Sequence, residues 1–402
     1  MPSFAYVVKD KAGRTHTGSL ETASKQALIE QLWKQEFVVL SIEERKAHSS
    51  LLKVGGPGVK TEHLVIFSRQ LATMVASGIP ILGGIEVLRD QIDEPGFKQI
   101  LGRLRDDIEA GASFSEALGK HPRVFSEFFV NMVRAGESSG KLDEILDRVA
   151  TYLEKSHALT QKIQSSLFYP ALVSVLAISI TVFLLVFVVP KFKEIFTSLG
   201  GQLPMPTQIL INISEGMRRY FILNVVAVIG SAVGLRAFIN TPVGRDRFDH
   251  LKLKVPLLGP LMQKVAVARF ARTLATLVRA GVPILKALEI VAKTAGNRVI
   301  ERAVMTARSS ITEGQNIANP LAQSKVFPPM VTRMISVGEK TGELERMLSK
   351  VADFYETEVD AAVGGLTSLI EPLVIAFLGV GIGAIVVALF LPVFKISQLV
   401  SH

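Results

Sequence analysis

The apolar positions of this chain change period along its length. From Phe4 to Val8 they alternate with polar ones, and Thr15–Glu21 can return as a second strand, with a turn at Lys11-Ala-Gly-Arg14 between them. Ser24 caps a predicted helix running to Gln35, with Leu28, Leu32 and Trp33 on its buried side, and Val38 to Ile42 gives a third strand. A lone aromatic at helical spacing reads as core rather than as a ligand contact, so Trp33 is expected to be packed. From Thr61 the period becomes helical: Phe67, Leu71, Met74 and Val75 share one face, as do Phe270, Leu274, Leu277 and Val278. Gly78 and Gly281 follow as left-handed caps, with Pro80 and Pro283 suited to the first turn of the next helix. Pro95-Gly96, Gly111 and Pro122, then Gly296, Gly314 and Pro328-Pro329, punctuate further helices, about five or six short ones in each half.

The two helical patterns are copies of one another. Phe67-Ser-Arg-Gln-Leu-Ala-Thr-Met-Val-Ala-Ser-Gly-Ile-Pro-Ile-Leu-Gly-Gly-Ile-Glu86 returns as Phe270-Ala-Arg-Thr-Leu-Ala-Thr-Leu-Val-Arg-Ala-Gly-Val-Pro-Ile-Leu-Lys-Ala-Leu-Glu289. The register continues, and after a one-residue deletion Gly136-Glu-Ser-Ser-Gly-Lys-Leu142 meets Gly338-Glu-Lys-Thr-Gly-Glu-Leu344. Each copy ends in an uncharged apolar run bounded by prolines, Pro170 and Pro190 in the first, Pro372 and Pro392 in the second. The repeat unit is therefore a helical bundle plus one membrane span.

Hydropathy alone leaves Tyr220 to Leu235 marginal as a further span: it is short, flanked by Arg219 and Arg236, and contains Asn224. The duplication decides for it. Two bundles of one design work in one compartment, so a chain that leaves by the first span needs a return crossing. The predicted organisation is a small α+β domain at 1–45, a flexible linker at 46–60, a helical bundle at 61–168 and a span at 169–189. A connecting loop at 190–219, a second span at 220–238, the second bundle at 239–368, a third span at 369–392 and a tail at 393–402 complete it. The fold class is an all-α polytopic membrane protein with two homologous helical bundles, three transmembrane helices and a small N-terminal α+β domain. Charge favours the cytoplasmic side for both bundles, although long domains weigh little in such counts.

Composition adds limits. The 402 residues carry a net charge of +9, with no cysteine, so no disulfide or thiolate metal site is available. The basic residues are dispersed, without a run or an aromatic platform, which argues against nucleic acid as a partner. The N-terminus has no basic, apolar, small-residue pattern of a cleaved leader. Gly58-Val59-Lys60-Thr61 lacks the glycine that a phosphate loop needs directly before its lysine, and Gly136 to Lys141 is too short and followed by Leu142. The seven histidines are scattered without metal-ligand spacing, and no catalytic constellation, cofactor site or metal site emerges.

The charged positions shared by both copies are Arg69 and Arg272, Glu86 and Glu289, Glu137 and Glu339, and Asp143 and Glu345. They read either as ion pairs within each bundle or as a partner-docking or cation-binding surface. In the last span Gly379 and Gly383 form a small-x-x-x-small pair that lets another helix approach, from this chain or a second copy. Glu371 at the span's edge reads as a headgroup anchor. Three hypotheses follow: a coupling scaffold, a solute transporter built from repeats, and a membrane-bound enzyme. The uncharged spans disfavour the second, and no residue cluster supports the third.

The duplicated Phe-Ser-Arg-Gln-Leu-Ala-Thr-Met-Val-Ala-Ser-Gly-Ile-Pro and Gly-Glu-Ser-Ser-Gly-Lys-Leu motifs, with Leu391-Pro-Val-Phe-Lys395, resemble the bacterial inner-membrane platform proteins of type II secretion and type IV pilus assembly. The resemblance covers the whole chain. It implies a non-enzymatic, oligomeric inner-membrane scaffold with its N-terminus cytoplasmic and its loop at 190–219 and C-terminus periplasmic. The implied partners are a cytoplasmic hexameric assembly ATPase, pilin or pseudopilin subunits, other inner-membrane assembly proteins and membrane lipid. Pro190-Lys-Phe-Lys-Glu-Ile-Phe196, Leu203-Pro and Phe394-Lys395 resemble the pilus branch more than the secretion branch.

Overall fold

The computed structural model describes residues 3–9, 15–21, 37–45, 59–198 and 204–400, with the single positions 26, 29 and 33. The turn at 11–14, the Ser24 cap with Leu28 and Leu32, the linker at 46–58 and Leu203 lie outside the described residues.

The N-terminal unit holds an antiparallel sheet of β1 (Ser3–Lys9), β2 (Thr15–Glu21) and β3 (Val38–Arg45), in the order β2-β1-β3. Phe4 pairs with Leu20 and Tyr6 with Ile42, and the register against β3 shifts between Val7 and Val8. Val8 is buried, as strand alternation predicts. Trp33 corrects the sequence expectation: it is helical but 67% exposed. A domain this small buries only part of its chain's surface, and an indole is the side chain hardest to cover.

The second unit, from Val59 onwards, contains the repeat. Its first bundle comprises α1 (Thr61–Ala76), α2 (Ile81–Gln91), α3 (Pro95–Glu109), α4 (Phe114–Gly119) and α5 (Glu127–Ser139). It closes with α6 (Leu142–Phe183), which runs without a break from the bundle into the first apolar span. The apolar stripe of α1 delivers Phe67 and Leu71 to a core shared with Leu101, Leu104, Phe125 and Phe129. The Phe67 and Phe97 rings meet edge to face at 5.4 Å. Burying each such side chain stabilises the fold by about 2–3 kcal/mol. Gly78 and Gly281 adopt φ of 84° and 76°, the left-handed caps expected. Pro80 and Pro283 stand one residue earlier than predicted, as extended N-caps rather than in the helices' first turns.

The connection between the first and second spans contains two helices, α7 (Val189–Ser198) and α8 (Met205–Arg219), entered through a π-turn at Leu184–Val188. The second span is α9 (Phe221–Ile239), long and apolar enough to cross a membrane. The second bundle comprises α10 (Pro242–Lys254), α11 (Leu258–Arg279), α12 (Ile284–Thr294), α13 (Arg298–Thr312), α14 (Ala318–Gln323) and α15 (Pro329–Thr341). Its stalk α16 (Leu344–Val400) has 57 residues, about 85 Å of helix, against a hydrocarbon core of about 30 Å. The lower parts of α6 and α16 pack together through Leu159, Ile163 and Leu167 against Val359, Val363 and Leu366.

Prolines inside these stalks do not break them. Pro170 leaves the carbonyl of Ser166 without an amide donor, and the Thr367 hydroxyl of the other stalk, which donates to its own Val363 carbonyl at 3.0 Å, lies 3.5 Å from that oxygen as a weaker second contact.

Candidate functional site

The shared charged residues do two different jobs in the bundles, and the partners explain which. Arg69 on α1 donates through Nε and Nη2 to both carboxylate oxygens of Glu154 on α6, each at 2.6 Å, and through Nη1 to Asp147 at 2.6 Å. Arg272 on α11 repeats the bidentate grip on Glu356 of α16, at 2.8 Å to each oxygen, and reaches Asp353 at 2.5 Å. The first helix of each bundle is thus clamped to its stalk by the same fork. The hydrogen bond from Arg69 holds the Glu154 carboxyl below its ordinary range, and Glu154 in turn raises the Arg69 guanidinium. For Arg272, burial opposes the charge, but its bonds to Glu356 and Asp353 outweigh that and leave its pKa raised.

Glu137 and Glu339 act as remote helix caps. Glu137 accepts from the backbone amides of Phe114 (2.6 Å) and Ser115 (3.3 Å) at the start of α4. Glu339 accepts from Ile317 (2.5 Å) and Ala318 (3.2 Å) at the start of α14. Both capped helices have six residues, too short to hold without such help. These carboxylates are engaged by backbone amides. Among the described residues no group of three or more His, Asp or Glu side chains comes together as a metal site would require.

The remaining pairs diverge between copies. Glu86 lies 3.7 Å from Arg105 within the first bundle. Glu289 is held by Lys286 and Lys293, and Lys293 also crosses to Glu127 of the first bundle at 2.7 Å. Asp143 sits exposed in the first turn of α6, without an ion-pair partner among the described residues. Glu345, its counterpart, pairs with Arg279 at 2.6 Å and lines the seam between the bundles.

That seam is the place where the two copies meet. Tyr152 and Thr273 share a buried hydrogen bond of 3.0 Å, and burial pushes the phenol up. Arg148 donates to the Arg279 carbonyl at 2.7 Å, and lower down Lys162 pairs with Asp360 at 2.6 Å. A cavity of about 200 Å³ remains there, lined among others by Asp147, Tyr152, Lys155, Arg272, Arg279 and Glu345. Sequence reasoning found the clamp arginines but missed Glu154 and Glu356. Extending the repeat register through Val149-Ala150 and Val351-Ala352 puts the two glutamates at equivalent positions, which was the available signal.

In the last span, a Cβ at Gly379 or Gly383 would meet nothing within 4 Å, so among the described residues no other helix of this chain packs closely on either glycine.

Fold and site together define a class: a membrane-spanning tandem of clamped helical bundles, each continuous with its own span. The chain belongs to the type II secretion system protein F family. The family's main domain matches twice, over residues 67–190 and 270–392, and its N-terminal domain matches 1–43. The type IV pilus assembly protein PilC of Thermus thermophilus is 45% identical over the full length of both chains. That of Myxococcus xanthus is 40% identical over 98% of this chain and 95% of its own. The type II secretion system protein F of Pseudomonas aeruginosa is 33% identical, again over both full lengths.

Proposed function

We propose that this chain is the inner-membrane assembly platform of a type IV pilus. In this reading it couples a cytoplasmic hexameric ATPase to the insertion or extraction of pilin subunits, and it has no catalysis of its own. The observation that carries the reading is mechanical continuity. Each bundle is clamped by Arg69 or Arg272 to a stalk that becomes a span, and the stalks are tied to each other by Lys162 and Asp360. A push or twist applied to either bundle therefore reaches the spans through hydrogen-bonded helix rather than through a loop. Both bundles and the N-terminus lie in the cytoplasm and the C-terminus in the periplasm, in keeping with the concentration of lysine and arginine in the two bundles. The boundaries at 61–168 and 239–368 mark the two lever bodies. The uncovered Gly379 and Gly383 suit a homo-oligomer contact in the membrane.

The higher identity to two pilus assembly proteins than to the secretion protein supports the pilus branch over the equivalent platform of a type II secretion system. Complementation tests it: the chain should restore piliation to a bacterium lacking its own platform protein, and the Arg69→Ala, Arg272→Ala double variant should not. Restored secretion without pili would favour the alternative. Single cysteines at Lys98 and Lys293, in a chain that has no others, should react from the cytoplasmic side only. Labelling of the two from opposite faces would overturn the topology.

A further inference from the structure

We propose that α8 is a lipid-seated helix, inserted among the acyl chains of the leaflet distal to the bundles and not a solvent-exposed connection. The proposal rests on the three spans crossing a membrane and not on the platform role.

The helix has three faces. Thr207, Ile211 and Ser214 are buried against the ends of the first and third spans. Gln208, Asn212, Glu215 and Arg219 form a second, polar stripe. Met205, Ile209 and Ile213, at four-residue spacing, form a third, apolar and exposed at 76%, 54% and 50%. A water-facing connection has no reason to segregate its residues this way, whereas a helix lying in a membrane boundary does.

Two hydroxyls fix its depth. Pro392 leaves the carbonyl of Ala388 without an amide donor, and Thr207 donates to that oxygen. In the π-turn at Leu184–Val188 the next amide would be that of Pro190, which has none; the Leu185 carbonyl is left over, and Ser214 donates to it. Away from water such carbonyls must be paired. Pro190 and Pro392 are the same position of the repeat, so one helix serves both copies. Ala388 and Leu185 lie four and five residues inside those prolines, about 6–8 Å along the helix axis. That matches the depth of about 5–10 Å at which amphipathic helices rest in a bilayer.

The neighbouring span surfaces continue the apolar face. Phe187, Val387 and Phe390, close to Pro190 and Pro392 in sequence, are also exposed and face lipid by the same logic. At the other end Arg218 and Arg219, with the Arg219 guanidinium 5.7 Å from the Tyr220 ring centre, supply the cationic and aromatic pair that suits headgroup phosphates.

The test uses purified full chain in bilayers whose lipids carry dibrominated acyl chains. In a Trp33→Phe background, which removes the single native tryptophan, Ile209→Trp and Ile213→Trp should each lose about half of their fluorescence or more, while Gln208→Trp and Asn212→Trp should change little. Equal quenching at all four positions, or quenching at none, overturns the proposal; the latter is the result expected if protein covers the face. Should tryptophan disturb the segment, spin labels on single cysteines at the same positions read the same contrast. Collisions with oxygen should dominate at 209 and 213 and with a nickel chelate at 208 and 212, and a uniform or reversed ratio overturns the proposal.

Discussion

The two repeats keep the same clamps and caps but differ at the stalk positions just beyond the clamp. In the second, Val359, Val363 and Leu366 are buried beneath Leu261, with Met262 and Val265 packed alongside, and Lys264 closes the edge by pairing with Glu358 at 2.7 Å. The register of the repeat puts His157, Gln161 and Gln164 at the equivalent positions of the first stalk, and Glu62 where the second has Val265. There α1 begins at Thr61, whereas in the register of the repeat α11 begins six residues earlier, at Leu258. What remains is a polar groove of about 360 Å³ lined by Thr61, Glu62, His157, Thr160, Gln161 and Gln164. The difference teaches what duplication preserved. Among the described residues the bonds that define each bundle are held twice, while an apolar seal between first helix and stalk is formed by Leu261 and its neighbours in the second.

The largest effect should come from exchanging the two faces. Val363→Gln places an amide where Leu261 and the stalks exclude water, and should destabilise the second bundle by about 2–4 kcal/mol. Its mirror, Gln161→Val, adds an apolar group to an open polar groove and should stay within about 0.5 kcal/mol of the parent. Denaturant unfolding in detergent, with hydrogen exchange read over 258–265, checks both. Similar losses in the two variants would mean the faces are not different in kind.

The clamps should show a smaller asymmetry. The Arg272 side chain is 15% exposed and that of Arg69 34%, so the same fork operates in drier surroundings in the second bundle. Removing Arg272 also leaves Glu356, itself mostly covered, without its partner. Arg272→Ala should therefore cost about 2–3 kcal/mol and Arg69→Ala about 1 kcal/mol. Equal costs, measured by the same unfolding experiment, would show that stalk sealing does not reach the clamp.

Much of this was legible in the residues. The duplicated Phe67 and Phe270 stripes and the left-handed glycines follow from periodicity and backbone sterics, which act over a few residues, the first and third spans follow from their long uncharged apolar runs, and the second follows from the duplication. The partners of Arg69 and Arg272 did not, because the glutamates lie on a helix brought alongside only by packing. The connection at 190–219 follows from the spans on either side of it, but its two helices do not, because α8 carries apolar residues on more than one face. Trp33 was misjudged because spacing reports that a helix has a face, not that a small sheet can cover it. Glu137 and Glu339 stood out by repetition, but carboxylates that bind backbone amides look in sequence like carboxylates that bind anything else.

The smallest effect is also the one that tests the first clamp alone. Glu154 titrates below its ordinary value because Arg69 donates to its ionised form. A depressed carboxylate contributes stability that is present above its unfolded pKa, about 4.3, and is lost as pH falls through the lower folded value. Arg69→Gln removes the cause, so the parent should lose more stability than the variant between about pH 5 and pH 3. The two curves should run parallel above that window, offset by the cost of the lost clamp. Because both side chains are more than a third exposed, the difference in slope should be small and should shrink further in high salt. A parent and a variant with identical acid slopes at low salt would show that the Arg69–Glu154 pair, unlike the Arg272–Glu356 pair, holds geometry without contributing measurable energy, and the comparison between the repeats would then extend from the stalk face to the clamp itself.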